Sequence, residues 1–226
     1  GSGGAGLRAA IAAKEENPSL AVAVLTKGKL ESSGVTATAC SDRMAFHATL
    51  EHTEPHGDPQ AWRYHAEDIY RIGGYVSDAD LAVTLARGAG EAFHYLDALG
   101  VPFAKRSDGR ADQFVTDGSK YARACYTGPY TANHIHQALV RRVRHLDIAL
   151  LEQSMAADLL LSRDGAVAGV VLADGVAIQA KAVVLAAGGA GAAYKVHVFP
   201  DDMTGDGYAM AWRAGAELVN MEFIQI

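Results

Sequence analysis

Apolar positions recur along this chain with two different periods, and the alternation between them predicts its elements. Residues 7–13 carry helical spacing, the polar stretch 14–18 stops them, and the short apolar run 20–25 reads as a strand followed by a loop over 26–33. Residues 62–72 predict a helix ended by Gly73 and Gly74. A longer helix is expected over 80–99, with Leu81, Leu85, Ala89, Phe93, Leu96 and Leu99 as its core face and Gly100 and Pro102 as stop signals. The polar, glycine-bearing stretch 105–118 is a loop or hairpin. Thr131 is a candidate N-cap for a helix that places Ile135, Leu139 and Val143 on one face. From Ile148 the period shortens: 156–162, 166–172 and 176–180 are β-rich runs joined by Asp164-Gly165 and Asp174-Gly175, which predicts a three-stranded antiparallel meander. The continuous apolar run 182–186 reads as a core strand buried on both faces. A helix over 208–214 stopped by Gly215 and a final strand-like stretch over 217–224, running on to Ile226, complete the pattern.

Two glycine turns interrupt this pattern at places where chemistry is expected. Gly1, Ser2, Gly3, Gly4, Ala5 and Gly6 run straight into the first helix as Gly-x-Gly-x-x-Gly. In that arrangement glycines permit a tight turn, a close approach of backbone to a pyrophosphate and close helix packing, while the helix N-terminus offers free N–H groups to the anion. The strand that follows leads to Thr26, Lys27 and Gly28, where a residue meeting a ribose is expected. The strand that normally precedes such a turn would lie before Gly1. Together with the strand-like end of the chain, this leads us to expect a piece of a longer polypeptide, cut through structure at both ends. The second turn is Ala187, Gly188, Gly189, Ala190 and Gly191.

Residues 34–40 are small and hydroxylated without charge. That suits a backbone lying against a flat ring system, and equally an ordinary packed turn. Asp206, between Gly205 and Gly207, is either an acceptor for a ligand hydroxyl or the N-cap of the helix that follows.

Half of the 226 residues are hydrophobic, which is enough for one large or two small globular domains, and the net charge of −6 argues against nucleic acid as a partner. The basic run Arg141, Arg142 and Arg144 falls at a predicted helix end, where cations complement the dipole. Cys40 and Cys125 lack metal-like spacing and read as reduced thiols of a cytoplasmic protein. No apolar run reaches the roughly 18 residues of a membrane span, so direct membrane insertion is not expected. His47, His52 and His56 fall in what reads as an exposed loop over 47–60, without a regular ligand spacing, and no metal site is expected.

Four segments in this order resemble the flavoprotein subunit of the succinate dehydrogenase and fumarate reductase family: residues 1–10, 33–40, 182–191 and 204–225. L-aspartate oxidase and adenylylsulfate reductase flavoproteins are relatives of that family. The resemblance covers essentially the whole chain. It implies an α/β, Rossmann-like FAD-binding domain over 1–226, with a helical and loop insertion at about 41–130 and the antiparallel β-meander at about 154–181, truncated at both ends and without the capping domain. FAD would lie extended across the sheet. Gly1, Gly3 and Gly6 would meet the pyrophosphate, with Thr26 and Lys27 by the adenosine ribose. Ser33, Gly34, Val35, Thr36, Ala37, Thr38, Ala39 and Cys40 would line the flavin and ribityl chain. Met155, Ala156 and Ala157 would face the adenine side, Ala187, Gly188 and Gly189 would complete the cradle, and Asp206 would hold a cofactor hydroxyl.

Membrane-bound members carry a covalent flavin histidine in a Ser-His-Thr context, and Gly34 stands at that position here, so the resemblance implies non-covalent FAD. The implied reaction interconverts succinate and fumarate by hydride transfer at flavin N5, with an iron-sulfur protein as electron-transfer partner and association with a membrane through partner subunits. The family's substrate-binding and proton-transferring residues fall outside this stretch, so no catalytic residue is assigned and this chain by itself is expected to be inactive. Arg123 is the nearest candidate for an active-site arginine, with structural pairing as its alternative. Other readings are an FAD enzyme of the same family acting on L-aspartate or adenylylsulfate, and a non-catalytic flavin-binding piece.

Overall fold

The computed structural model describes residues 1–224. In chain order its elements are α1 (Gly4–Glu16), β1 (Ala23–Leu25), α2 (Val35–Thr38), β2 (Phe46–His47), α3 (Trp62–Ile72), α4 (Ala79–Ala98), β3 (Gln113–Phe114) and β4 (Ala124–Cys125). There follow α5 (Thr131–His145), β5 (Ala149–Leu151), β6 (Ala156–Leu161), β7 (Val167–Leu172), β8 (Ala177–Gln179) and α6 (Asp206–Arg213). Contacts divide the chain into two compact units, Gly1–Ala39 with Leu139–Ile226, and Cys40–Ala138.

In the first unit β1 and β5 pair in parallel, Ala23 opposite Ala149 and Leu25 opposite Leu151, and α1 packs on β1 by burying Leu7 and Ile11 completely. The β5 strand was not anticipated, because Ala149–Leu151 is too short to display a period. Antiparallel β6–β7–β8 form the expected meander, with Gly165 (φ +83°) and Gly175 (φ +88°) supplying the left-handed turn positions that Asp-Gly hairpins use. The run 182–186 makes no ladder with any described residue, and Val184 is 72 % exposed, contrary to the expected core strand. Its apolar composition selects burial but does not by itself supply a pairing partner. The stretch 217–224 is likewise not a strand, and Gln225 and Ile226 lie outside the described residues.

The second unit pairs α3 with α4 and carries the short antiparallel sheet β2–β4–β3. Asp78 caps α4, its side chain accepting from the Asp80 and Leu81 amides. The buried face of α4 is Ala82, Ala86, Ala89, Phe93 and Leu96, while Leu81 and Leu85 are exposed. Leucines and alanines both satisfy helical spacing. Tertiary packing buries the alanine face and leaves Leu81 and Leu85 to solvent, which spacing alone does not decide. The expected exposed loop after His47 is partly interior: His52 bonds the Ala111 carbonyl oxygen through Nε2 at 2.9 Å, and Thr53 donates its hydroxyl to Gln113 Oε1. Thr131 is not an N-cap but the first residue of α5, its hydroxyl donating to the Gly128 carbonyl at 2.7 Å.

Arg123 is 1 % exposed and pairs with Asp68. Asp68 also accepts from Arg71 and from the Lys120 amide, so α3 and the loop before β4 are joined at one carboxylate. Burial raises the Asp68 pKa, but these donors together hold it below the ordinary carboxylate value. Arg123 therefore has the structural role. Burial, with the Arg123 charge beside it, pushes the His65 imidazole down to about 4, and burial likewise pushes the Cys125 thiol up to about 12.

This packing sets the acid limit of stability. His65 stays neutral in the fold while the unfolded chain protonates near 6.5, so stability is fully present above about pH 6.5 and is lost as pH falls toward about 4, by up to about 3 kcal/mol. Urea midpoints measured from pH 7 to pH 4 should show that loss, and His65→Gln should flatten it; an equal slope in the variant would assign the loss elsewhere. A second prediction contrasts two helix glycines. A Cβ at Gly6 would overlap the Gly1 carbonyl oxygen, whereas one at Gly88 would meet nothing. Gly6→Ala should cost about 1–3 kcal/mol, and Gly88→Ala should gain about 0.5–1 kcal/mol, read as opposite shifts in thermal midpoint.

Candidate functional site

The glycine turn sits on the end of β1, with Gly1 N donating to the Leu25 carbonyl at 2.8 Å and the Ser2 hydroxyl, buried, donating to Thr26 Oγ1 at 3.1 Å. A side chain at Gly1 would collide with the Ala186 carbonyl, so the first turn and the run leading into the second glycine turn touch through backbone alone. The same crowding at Gly6 shows why small residues occupy this bend. The first helical amide, Gly4 N, donates to Thr36 Oγ1 at 3.0 Å. Residues 34–40 thus stand at the N-terminus of α1, where an anion would meet backbone N–H groups. Gly34 has φ +87°, and Val35–Thr38 form one helical turn behind it.

The loop after β1 is anchored by the Thr26 amide on the Leu151 carbonyl at 2.9 Å and by Ser154 N on the Thr26 carbonyl at 3.0 Å. Within it Gly28 is pressed against Ser33, whose hydroxyl oxygen accepts the Lys29 amide at 2.8 Å. Lys27 Nζ reaches to Asp206 Oδ2 at 2.5 Å and Thr204 Oγ1 at 2.6 Å, and Thr204 donates to the same Oδ2 at 2.9 Å. Burial raises the Asp206 pKa, but the bonds from Lys27 and Thr204 and the Lys27 charge outweigh it and hold the carboxyl below its usual range. Asp206 is the first residue of α6 and makes no side-chain cap bond, so it is not the N-cap. A Cβ at Gly207 would lie 2.9 Å from Ala187 Cβ, which sets the start of α6 directly against the second glycine turn. That turn is in turn bound to α6, the Gly205 amide donating to the Gly189 carbonyl at 3.1 Å.

The first glycine turn, the loop after β1, Gly34 and Thr36, the second glycine turn and the start of α6 are therefore linked by direct contacts, whereas Cys40 falls in the second unit. The remaining predicted group, Met155, Ala156 and Ala157, lies at the start of β6; the Ala157 carbonyl accepts Arg213 Nη2 at 2.7 Å, and the Met155 carbonyl accepts the Ala173 amide at 2.9 Å. Their carbonyls are thus engaged in holding α6 and β7. One contributor was missed by the sequence reading: Asp202, whose Oδ2 accepts the Gly34 amide at 3.2 Å. Its signal was the turn Pro200 to Met203, closed by the Met203 amide on the Pro200 carbonyl.

These residues suit a dinucleotide. A helix N-terminus that follows a glycine turn favours phosphate, and Asp206, held by Lys27 and Thr204, is a carboxylate acceptor for a hydroxyl. Comparison with known proteins agrees. The FAD binding domain family model matches residues 1–226. The chain is 35 % identical to a component of the CoM/CoB fumarate reductase of Methanothermobacter marburgensis and 34 % identical to the fumarate reductase flavoprotein subunit of Mycobacterium tuberculosis. In both alignments the whole chain is covered, against 40 % and 38 % of the relative. Among solved structures, the Sdh1 complex of Mycobacterium smegmatis matches all of the chain and 39 % of its own with a TM-score of 0.89 at 32 % identity. Adenylylsulfate reductase of Archaeoglobus fulgidus shares the fold at 24 % identity and a TM-score of 0.67. The chain spans about two fifths of the length of the curated relatives it matches. It belongs to the FAD binding domain family.

Proposed function

We propose that this chain is the cofactor-holding part of an FAD-dependent oxidoreductase that interconverts succinate and fumarate, with FAD bound non-covalently. The observation that carries the reading is that the first glycine turn meets the run into the second at Gly1 and Ala186, while the second turn is bonded to the start of α6, whose Asp206 carboxylate is held by Lys27. Bound FAD would supply a two-electron acceptor and donor at flavin N5. The residues of this chain bind and orient it: Gly1, Gly3 and Gly6 admit the pyrophosphate to the backbone, Thr26 and Lys27 flank a ribose, and Ser33 to Cys40 line the flavin side. Gly34 offers no nucleophile for a covalent flavin bond. The substrate class rests on the fumarate reductase names of the relatives, and an iron-sulfur electron-transfer partner rests on the resemblance of the four motif segments; those relatives are subunits of larger assemblies, and any membrane association is assigned to such partners. Among the described residues no helix is long and apolar enough to cross a membrane.

Two measurements test this reading. FAD titrated into the chain should bind with an oxidised-flavin band near about 450 nm, and acid precipitation should release all of it into the supernatant; absence of binding sinks the cofactor role, and a yellow pellet sinks non-covalent attachment. Asp206→Ala should weaken FAD binding about tenfold to a hundredfold, the effect of losing a charge-assisted hydrogen bond of roughly 1.5–3 kcal/mol. Stability without FAD should change by less than about 1 kcal/mol, because the Lys27 pair is partly exposed. Unchanged affinity with a larger loss of stability would make Asp206 a purely structural residue.

A further inference from the structure

The bonds to Asp206 are distributed unequally between its two oxygens. Lys27 Nζ and Thr204 Oγ1 both donate to Oδ2, and Lys27 also bonds Thr204, so the three side chains close a triangle on one oxygen. Oδ1 carries no hydrogen bond among the described residues, and it is not among the buried atoms left without a partner, so it is open to a ligand. The carboxylate torsion of an aspartate is broad and nearly two-fold, so an unanchored group turns its lone pairs away from any fixed direction. We propose that Lys27 is the positioning residue of this site: by fixing Oδ2 it presents Oδ1 of Asp206 to a hydroxyl of the dinucleotide. The proposal rests on the reading of the site as an FAD cradle.

Lys27 is placed for this role by the backbone. It follows Thr26, which is buried and tied to β5 through its amide, so the base of the lysine stem is anchored while its ammonium group spans to α6. A ligand hydroxyl arriving at Oδ1 has no bond of Lys27 to displace. The ammonium also balances the carboxylate, so the pair adds no net negative charge beside the glycine turn where phosphate would lie. A lysine contacting the cofactor by itself, or a latch that the cofactor must break, would leave a different signature.

The experiment is a double-mutant cycle on FAD affinity, measured by flavin fluorescence from pH 4.5 to pH 8 with the whole chain, together with the unfolding midpoint of each variant without FAD. Lys27→Met should weaken binding about tenfold at pH 7, and more at the acid end, where the carboxyl is no longer held ionised. Lys27→Arg should restore most of the affinity, and in an Asp206→Asn background Lys27→Met should have little further effect. If Lys27→Met does not fold, Lys27→Gln takes its place in the cycle. Unchanged or tighter binding by the lysine variant overturns the proposal in favour of a latch or no role. An undiminished loss in the Asp206→Asn background overturns it in favour of direct contact. Failure of the wild-type chain to bind FAD overturns the cofactor reading and this proposal with it, whereas binding by wild type and by the lysine variant alike removes only the role of Lys27.

Discussion

At the first turn of α1 three pieces of backbone share a volume that has no space for side chains. Gly6 lies against the Gly1 carbonyl, Gly1 lies against the Ala186 carbonyl, and Gly1 N holds the end of β1. Each contact depends on the others: a Cβ at either glycine would push the helix off the strand or the second turn off the first. Such contacts contribute through geometry rather than through buried apolar area, and this corner of the fold is accordingly built from residues with little side chain to bury. Stability comes from the layer behind it, where Leu7, Ile11, Val24, Leu139 and Val143 are buried.

The second unit solves a different problem, burying charge. Arg123 and Asp68 are interior, and the cost of removing them from water is offset because Asp68 takes donors from Arg71, from Arg123 and from the Lys120 amide at once. His65 beside them remains neutral chiefly because it is buried, and secondarily because a further positive charge would face Arg123 and His47, which Asp68 offsets only in part. The consequence is division of labour within one sequence. Arg123 and Asp68 hold the second unit together from its interior, while the Lys27–Asp206 pair remains about one quarter exposed.

Much of this was legible in the sequence where a single physical rule was at work. Trp62–Ile72 ends at the predicted glycines, and the Asp-Gly pairs set the meander turns. The Gly-Asp-Gly sequence marked Asp206. Legibility failed where two solutions satisfy one pattern. Alanine and leucine both fit the spacing of α4, and tertiary packing buries the alanines. The apolar run 182–186 resembled a strand because composition records a preference for burial and says nothing about the neighbour that completes a ladder. The partner of Asp206 was hidden for a simpler reason: Lys27 is 179 positions away, and no local period connects them.

That separation also bears on the order in which the molecule takes shape. Helix α1 and its glycine turn are local and can form early, but Lys27–Asp206 and Gly34–Asp202 join positions 179 and 168 apart. Contacts of such sequence separation carry the loop-closure entropy of a long intervening chain and form late. During synthesis the loop after β1 therefore waits, without its clasps, until the turn before α6 has left the ribosome. The partner of Lys27 arrives with α6, so that pairing marks the closing of the fold around the loop after β1.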